Sequence, residues 1–585
     1  MRLLKTDTLE FEEFLGPNTP PYAILSHTWQ EEEVSLREMT DRGPSVTRKK
    51  GYRKVADYCL LAAQLGYAWA WVDTCCIDKT NHAELAESIN SMFRWYQEAA
   101  VCHVFLSDLP VDAELKHALP HCRWFTRGWT LQELIAPATV QFYDQAWVLR
   151  GTKENLVAEL EAITGITKRV LNGSMHVRSF CVAVRMSWAA NRETTRPEDK
   201  AYCLLGMFDV NMPMIYGEGD KAFRRLQEEI IRQDNDLTIF AWAGPAGDAP
   251  LSQPTPGCLL APSPSLFARH SSQNSRGWLS RLGDSARWAD PNPEYTVTNK
   301  GLRIRASLVR LRGDQDRGPQ YFLPLGEVRH LFETPGLHNN IPGIVLQKIG
   351  PNQFLRKDGF LHSIPLETQG SRIAVPDLTP SLEFYIAIHS YAEHFRHRWI
   401  KQHGAIMLRT GNTPITGIKP GSTSPHAVIR LERAVPESHW DQTNRLFYGA
   451  SENRSTMVYA IAVAIQVEQE LVHLLCLIDQ RTNGLPFPYL FDPLKHRDLY
   501  RWFYRRKSAS EACFWEDLPD PWAQQSCPLP DWSQNVTIGG VSHSIMAVSV
   551  FGSSTNSYDI NFNVKRLPQR QIAAGSSEPS PAYAE

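Results

Sequence analysis

The segment Gly51–Val72 reads GYRKVADYCLLAAQLGYAWAWV and joins a helical pattern directly to a strand pattern. Its first part repeats apolar residues at the spacing of one helix face, and its end, Ala68–Val72, is an uninterrupted apolar run. Similar short runs occur at Tyr22–Ser26, Val101–Leu106 and Thr139–Tyr143. Such runs are typical of strands that are buried on both faces of a parallel sheet.

Helical patterns separate these apolar runs. Ala83–Ala99 carries its apolar residues on one helical face, and Arg127–Ala136 predicts a short helix that ends at Pro137. Strands that alternate with helices predict an α/β fold with a doubly wound parallel sheet. Because such sheets bind ligands beyond the carboxyl ends of their strands, we expect the functional residues there.

The composition excludes several classes of protein. The chain has 585 residues, of which 43% are hydrophobic and 21% charged, with a formal net charge of −2. This balance argues against a nucleic-acid partner, which normally requires a basic excess. No secretory signal or CxxC pair is visible, and no apolar run is long enough for stable membrane insertion. We therefore expect a cytoplasmic protein without a bound metal.

Changes in pattern along the chain predict five regions. Residues 1–150 form the α/β domain, and residues 151–243 form a helical extension. A segment rich in Gly, Pro and Ser predicts a linker at 244–293. Residues 294–568 alternate apolar and polar side chains, as in GLRIRASL and SYDINFNV, which predicts a β-rich domain. Residues 569–585 are expected to be a disordered tail.

Two motifs in the extension suggest helix starts. Thr195–Glu198 matches a capping box, which predicts a helix that continues through KAYCLLGMF. Gly217–Gly219 precedes another helical pattern. These glycines superficially suggest a phosphate cradle, but they lack the full dinucleotide or P-loop pattern and favour a simple turn.

Several N-terminal stretches together resemble the fungal heterokaryon-incompatibility (HET) domain. Their order and spacing agree with the family as well as their letters, although Gln30 stands where the family commonly has Gly. Arg196–Ile230 also resembles the extension that often follows this domain. The resemblance implies a role in fungal non-self recognition, in which allelic mismatch triggers the death of fused cells. The matching stretches are Tyr22–Trp29 (YAILSHTW), Trp71–Asp78 (WVDTCCID), Glu87–Tyr96 (ESINSMFRWY) and Arg127–Pro137 (RGWTLQELIAP).

The HET domain is in turn similar to Toll/interleukin-1 receptor (TIR) domains, which have a flavodoxin-like sheet. Many TIR domains cleave NAD at the nicotinamide–ribose bond with a glutamate in a Trp-Cys-x-x-Glu-Leu-like stretch. Here Trp129–Leu134 reads WTLQEL, with Thr130 in place of the cysteine. The resemblance implies that Glu133 is catalytic and that NAD is a substrate, with no bound cofactor.

Chemistry supports this role for Glu133. Cleavage of the nicotinamide–ribose bond develops positive charge on the ribose, which a nearby carboxylate stabilises. Nicotinamide leaves from a cationic ring, so one carboxylate suffices without a general acid. The structural alternative is that Glu133 is a solvated residue on a helix surface.

The first strand ends in three further candidates for binding NAD, namely Ser26, His27 and Trp29. Trp29 offers a flat face to a nicotinamide or adenine ring, and His27 offers a hydrogen bond. Each of these side chains could equally serve packing.

The remaining candidates follow the second and third strands. Asp73 leaves the second strand, where aspartate also often caps a turn. Arg127 could bind a pyrophosphate or pair with an acidic neighbour, and Trp129 belongs to the glutamate motif. Cys75 is a further, weaker candidate as a nucleophile.

Two functions remain open at this point. The first is NAD glycohydrolysis controlled by self-association, and the second is a non-catalytic assembly module that signals through protein contacts. A degenerate, regulatory family member that binds a partner is a third possibility. An allelic or regulatory protein is the expected partner.

Overall fold

The computed structural model describes residues 1–244 and 258–268 continuously, and the later part of the chain as separate segments. These are residues 294–311, 320–325, 340–357, 359, 361–365, 367–369, 372–374, 382–388, 405–408, 411–416, 426–435, 439–441, 446–448, 458–467, 470–479, 487–492, 494, 496–505, 533–538, 541–552 and 557–567. Most of the expected linker and all of the expected tail lie outside the described residues, and the five region boundaries stay predictions.

The N-terminal strands form one mixed sheet with the order β2-β1-β4-β3-β5-β6-β7. The four predicted apolar runs are its parallel centre, β4-β3-β5-β6. The expectation of an entirely parallel sheet is wrong, because β1, β2 and β7 pair antiparallel at the two edges. The strands are β1 (Arg2–Lys5), β2 (Phe11–Glu13), β3 (Ala23–His27), β4 (Trp69–Trp71), β5 (Val101–Phe105), β6 (Val140–Tyr143) and β7 (Leu149–Thr152).

Helices connect the parallel strands. Because β–α–β crossovers are right-handed, the strand order places α3 on one face of the sheet and α5 and α7 on the other. Consistent with this placement, α5 packs against α7. Across the sheet the parallel strands lie in the order β4-β3-β5-β6. The chain goes from β3 to one side, to β4, and then returns to the other side, to β5. Doubly wound sheets have a ligand-binding crevice at such a change of direction, here between β3 and β5. The helices are α1 (Leu36–Asp41), α2 (Pro44–Thr47), α3 (Lys50–Gln64), α4 (Asp73–Cys76), α5 (His82–Glu98), α6 (Leu115–Ala118) and α7 (Thr130–Ile135).

The extension is helical, as predicted, but its helices are shorter than expected. The predicted capping box is wrong: Glu198 accepts hydrogen bonds from the backbone N–H groups of Gly217 and Gly219, at 2.8 and 3.0 Å. The expected helix is consequently two short ones, α11 and α12. The helices are α8 (Val157–Thr164), α9 (Lys168–Leu171), α10 (Val182–Ser187), α11 (Asp199–Tyr202), α12 (Leu205–Phe208) and α13 (Lys221–Gln233).

The C-terminal half is rich in β-strands, as predicted. Among the described residues, β8–β14 and β17 form one sheet, β15 and β16 a hairpin, and β18–β28 another sheet. The strands are β8 (Tyr295–Thr298), β9 (Gly301–Ala306), β10 (Val309–Leu311), β11 (Gln320–Pro324), β12 (Asn340–Gly350), β13 (Gln353–Arg356), β14 (His362–Pro365), β15 (Glu367–Gln369), β16 (Arg372–Ala374), β17 (Leu382–Ile386), β18 (Ala405–Leu408), β19 (Gly411–Thr416), β20 (His426–Val435), β21 (Trp440–Asp441), β22 (Leu446–Tyr448), β23 (Val458–Val467), β24 (Glu470–Asp479), β25 (Phe487–Phe491), β26 (Ser533–Ile538), β27 (Val541–Gly552) and β28 (Ser557–Arg566), with one helix, α14 (Arg497–Arg505).

The first of these sheets shares a hydrophobic core with the extension and the N-terminal domain. Arg356 in β13 anchors this junction, since its guanidinium donates to the carbonyls of Phe240 and Trp242, at 3.2 and 2.7 Å. Among the described residues, no helix has the length and apolar character to cross a membrane.

Candidate functional site

Strand β3 ends in two adjacent residues that serve opposite faces of the sheet. Because side chains alternate along a strand, Ser26 lies on the face covered by α5 and α7, whereas His27 lies on the face covered by α3. Both side chains are buried. The two residues at the carboxyl end of β3 therefore belong to two separate hydrogen-bonded groups, one on each face of the sheet.

The first group surrounds Glu133, which projects from α7. Ser26 donates a hydrogen bond from its hydroxyl to the Glu133 carboxylate, and it accepts one from the Trp124 indole N–H at 2.7 Å. Since the indole can only donate, the serine proton is free for the carboxylate. Tyr96 lies nearby and donates to the carbonyl of Leu25 at 3.1 Å. The prediction that Glu133 could be a solvated surface residue is wrong, because only 6% of its surface is exposed.

Burial changes the acidity of Glu133. Removal from water raises its pKa from 4.5 to about 7, partly opposed by the Ser26 hydrogen bond. The negative charge of Asp73 raises this pKa further, whereas the positive charge of Arg127 lowers it. Near neutral pH the carboxyl group therefore exists in both protonation states. A titratable group of this kind at the crevice of a sheet marks a candidate active site.

The second group is organised around His27. Lys54 in α3 donates to Nδ1 of His27 at 2.8 Å, and His27 Nε2 lies 3.0 Å from Asp73 Oδ1. Because an ammonium group only donates, Nδ1 must be the acceptor and Nε2 must carry the proton. Burial and the Lys54 charge lower the pKa of His27. Glu33 accepts a hydrogen bond from the same lysine and supplies the compensating negative charge.

Asp73 connects this group to the surface. Its second oxygen accepts a hydrogen bond from the Trp29 indole at 2.7 Å, and Trp29 itself is 40% exposed. Lys79 lies over the Trp29 ring at 3.8 Å, and the Arg127 guanidinium lies 5.2 Å from the ring centre. The partly exposed Trp29 ring therefore lies close to two cations.

The structure brings most of the predicted residues together. Ser26 and Glu133 are hydrogen-bonded, and Asp73 joins His27 to Trp29. Trp129 instead donates to Asp199 of the extension at 3.3 Å. Cys75 is fully buried, and the neighbouring Cys76 and burial raise its pKa well above the usual value, which makes it unsuited to nucleophilic attack.

Several residues of the site were not predicted from the sequence. Lys54 and Trp124 carry no motif of their own, and each lies far along the chain from its partner. Arg192 belongs to the extension and donates to the Arg127 carbonyl and to the Thr130 hydroxyl, both at 2.8 Å. Lys79 was not predicted either, although it is a basic residue directly after the matching stretch Trp71–Asp78.

Other potential sites are less favourable. The N–H groups of Gly217 and Gly219 already bind the Glu198 carboxylate, which occupies the position of a phosphate. A cavity of about 390 Å³ lies elsewhere, between α5 and the extension, and is lined by Arg94, His176 and Asp209 among others. The part of the chain that the structure describes contains no group of His, Cys, Asp and Glu side chains suited to a metal ion.

Comparison with known proteins agrees with the sequence motifs. The family described as heterokaryon incompatibility protein (HET) matches residues 22–118, and a family described as a domain of unknown function (DUF8212) matches residues 221–329. Vegetative incompatibility protein HET-E-1 of Podospora anserina is 44% identical over 274 residues, which cover 44% of this chain and 20% of that protein. No solved structure matches the chain. The N-terminal part of this chain is thus similar to the heterokaryon-incompatibility (HET) family.

Proposed function

We propose that this protein acts in fungal heterokaryon incompatibility and that its N-terminal domain is a TIR-like NAD glycohydrolase. Glu133 would stabilise the positive charge that develops on the ribose as nicotinamide departs. Water then attacks the ribose and yields ADP-ribose. The resulting loss of NAD would kill the fused cell from the cytoplasm.

The environment of Glu133 carries this proposal. Its carboxylate accepts a hydrogen bond from Ser26, next to the place where the connections between the parallel strands change direction. The carboxylate is also shielded from bulk water. A carboxylate in such a medium interacts strongly with a developing cation. Its pKa of about 7 requires that turnover increase with pH as the carboxylate forms.

The surroundings of Trp29 suit the diphosphate of NAD. Trp29 is 40% exposed, and Lys79, which lies over its ring, and Arg127 can neutralise a pyrophosphate. The same cations would repel the positive nicotinamide ring. We therefore assign the surroundings of Trp29 to the diphosphate end of the substrate.

The decisive experiment is nicotinamide release from NAD by the full chain at high protein concentration, with Glu133→Gln as the variant. The glutamine keeps the shape of the side chain and its capacity to accept from Ser26. Release that disappears in a folded variant supports the proposal. Equal release from both proteins contradicts the role of Glu133.

One observation favours a second candidate, the non-catalytic assembly module. Glu133 has only 6% of its surface exposed, which leaves little room for a ribose without movement of its neighbours. In this alternative the protein self-associates or binds an allelic partner, and signalling follows from these contacts. Absence of NAD cleavage by a folded, self-associated chain would favour it.

A further inference from the structure

The helix that carries Glu133 is short and is held at its start by a residue of the extension. Helix α7 has only six residues, too few for a stable isolated helix. Arg192 Nη1 donates to the hydroxyl of Thr130, the first residue of α7, at 2.8 Å. It also donates to the carbonyl of Arg127, three residues earlier, at 2.8 Å. One guanidinium thus fixes the first turn of the helix.

The backbone strengthens the same junction. Residues 126–128 pair with Glu193, with hydrogen bonds of 2.8 Å from Gly128 N to Glu193 O and 2.6 Å from Glu193 N to Thr126 O. A Cβ atom on Gly128 would lie 2.6 Å from the methyl group of Thr194, so any other residue there would require Thr194 to move. The backbone pairing of Glu193 therefore places Arg192, the preceding residue, next to the start of α7.

The far end of α7 is held by another cation, the buried Lys153. Lys153, which follows β7, donates to the carbonyls of Leu134 and Pro137. Positive charge at this end also interacts favourably with the helix dipole. Lys153 holds only the end of α7. Loss of the Arg192 hydrogen bonds would therefore leave the beginning of the helix without this support.

We propose that Arg192 is a positioning residue for Glu133, supplied by the extension, which sets both the placement and the ionisation of this carboxyl group. The inference rests on the proposed function for its kinetic readout. Arg192 Nη2 and Arg127 Nε are buried without a hydrogen-bond partner among the described residues. These two guanidinium groups therefore bring positive charge close to α7 and to the carboxyl groups of Glu133 and Asp73.

The charges around Glu133 determine the expected effect. Ionisable groups that face it are Asp73 after β4, Tyr96 in α5, Cys102 in β5 and the two arginines. Among these groups the arginines favour the carboxylate, whereas negative Asp73 opposes it. Removal of the Arg192 charge therefore favours the protonated form of Glu133.

The test compares Arg192→Met and Arg192→Lys in the full chain. Methionine removes the charge and the hydrogen bonds, whereas lysine keeps the charge and the N–H donors on a side chain that is one bond shorter than the path to Nη1. Arg185→Lys is the control, because the Arg185 guanidinium donates to the Met207 carbonyl and pairs with Asp234, both within the extension and away from α7. The readouts are nicotinamide release against pH and amide hydrogen exchange of residues 127–135.

We expect Arg192→Met to lower kcat by at least about tenfold and to move the acidic limb of the pH–rate profile to higher pH. Arg192→Lys should retain the wild-type limb with a smaller loss of kcat. Both should exchange faster at residues 127–135, unlike Arg185→Lys. A wild-type limb in Arg192→Met, or exchange equal to the control, would overturn the proposal.

The two proposals can fail separately. If the wild-type chain releases no nicotinamide, the proposed enzyme fails, and Arg192 is tested by hydrogen exchange and by ¹³C NMR titration of the Glu133 carboxyl. A titration midpoint that rises in Arg192→Met, together with faster exchange, supports the positioning role. An unchanged midpoint rejects it, whatever the activity. If Arg192→Met does not fold, Arg192→Lys decides by its exchange at residues 127–135.

Discussion

Ser26 and Glu133 are 107 residues apart in the chain and share a buried hydrogen bond in which the serine hydroxyl is the donor. The bond joins the central strand β3 to the short helix α7. Trp124 donates to the same hydroxyl and thereby fixes the direction of the serine proton. The orientation of the candidate catalytic carboxyl group thus depends on a three-residue chain rather than on α7 alone.

Ser26→Ala should destabilise the fold by about 1–3 kcal/mol, because it leaves the buried Trp124 indole without its acceptor. It should also raise the pKa of Glu133, since the Ser26 hydrogen bond favours the carboxylate. Urea unfolding and a carboxyl titration measure the two effects. Trp124→Phe is the companion variant, and it should leave the Ser26–Glu133 bond in place. A lower Glu133 pKa in Ser26→Ala would contradict this account.

Glu133 should make the protein less stable as the pH rises from about 4.5 to about 7. In this interval the unfolded chain releases the Glu133 proton while the folded protein retains it, so ionisation favours unfolding. Glu133→Gln removes this dependence. The unfolding free energy of the variant relative to wild type should therefore increase by about 3 kcal/mol between pH 5 and pH 8. Parallel stability curves for the two proteins would refute the raised pKa.

Lys54→Met should destabilise the protein by about 3 kcal/mol, because it leaves the Glu33 carboxylate and His27 Nδ1 without their shared donor. The pKa of His27 should rise, since the Lys54 charge lowers it. Chemical denaturation and an NMR titration of His27 test the two statements. Lys49→Met is the matched control. Lys49 forms a partly exposed ion pair with Glu38, whose loss should change stability by about 0–1 kcal/mol.

Gly128→Ala should disrupt the contact between α7 and the extension, at about 1–3 kcal/mol, because its methyl group would overlap that of Thr194. Thr194→Ser removes the obstructing methyl group and keeps the hydroxyl that donates to the Arg196 carbonyl. The double variant should therefore recover part of the lost stability in thermal unfolding. Equal destabilisation by Gly128→Ala in both backgrounds would mean that the overlap lies elsewhere.

The sequence predicted the centre of the fold better than its edges. Apolar runs such as Ala68–Val72 identify buried parallel strands, because both faces of such strands are covered. The antiparallel strands β1 and β7 are short and half polar, as in RLLK and LRGT, and their pairing depends on tertiary neighbours. The short lengths of α11 and α12 were missed for a similar reason, because Glu198 caps a distant turn instead of its own helix.

The candidate site was predictable where its residues adjoin strand ends. Ser26, His27 and Asp73 follow directly from that rule, and Glu133 followed from the family motif. Lys54 and Arg192 could not be predicted, because their roles arise from helix packing and from pairing across distant segments. Their hydrogen-bond partners lie 21 to 65 residues away in the chain.

The pairing of Gly128 with Glu193 also bears on how such a domain can be exchanged between genes. The family match ends at residue 118, before Glu133, Gly128 and the segment that pairs with it. A recombination breakpoint between these segments would transfer the sheet but separate the carboxyl-bearing helix from its support. A recombined segment that keeps this site intact must therefore extend past residue 193, well beyond the stretch that the family match covers.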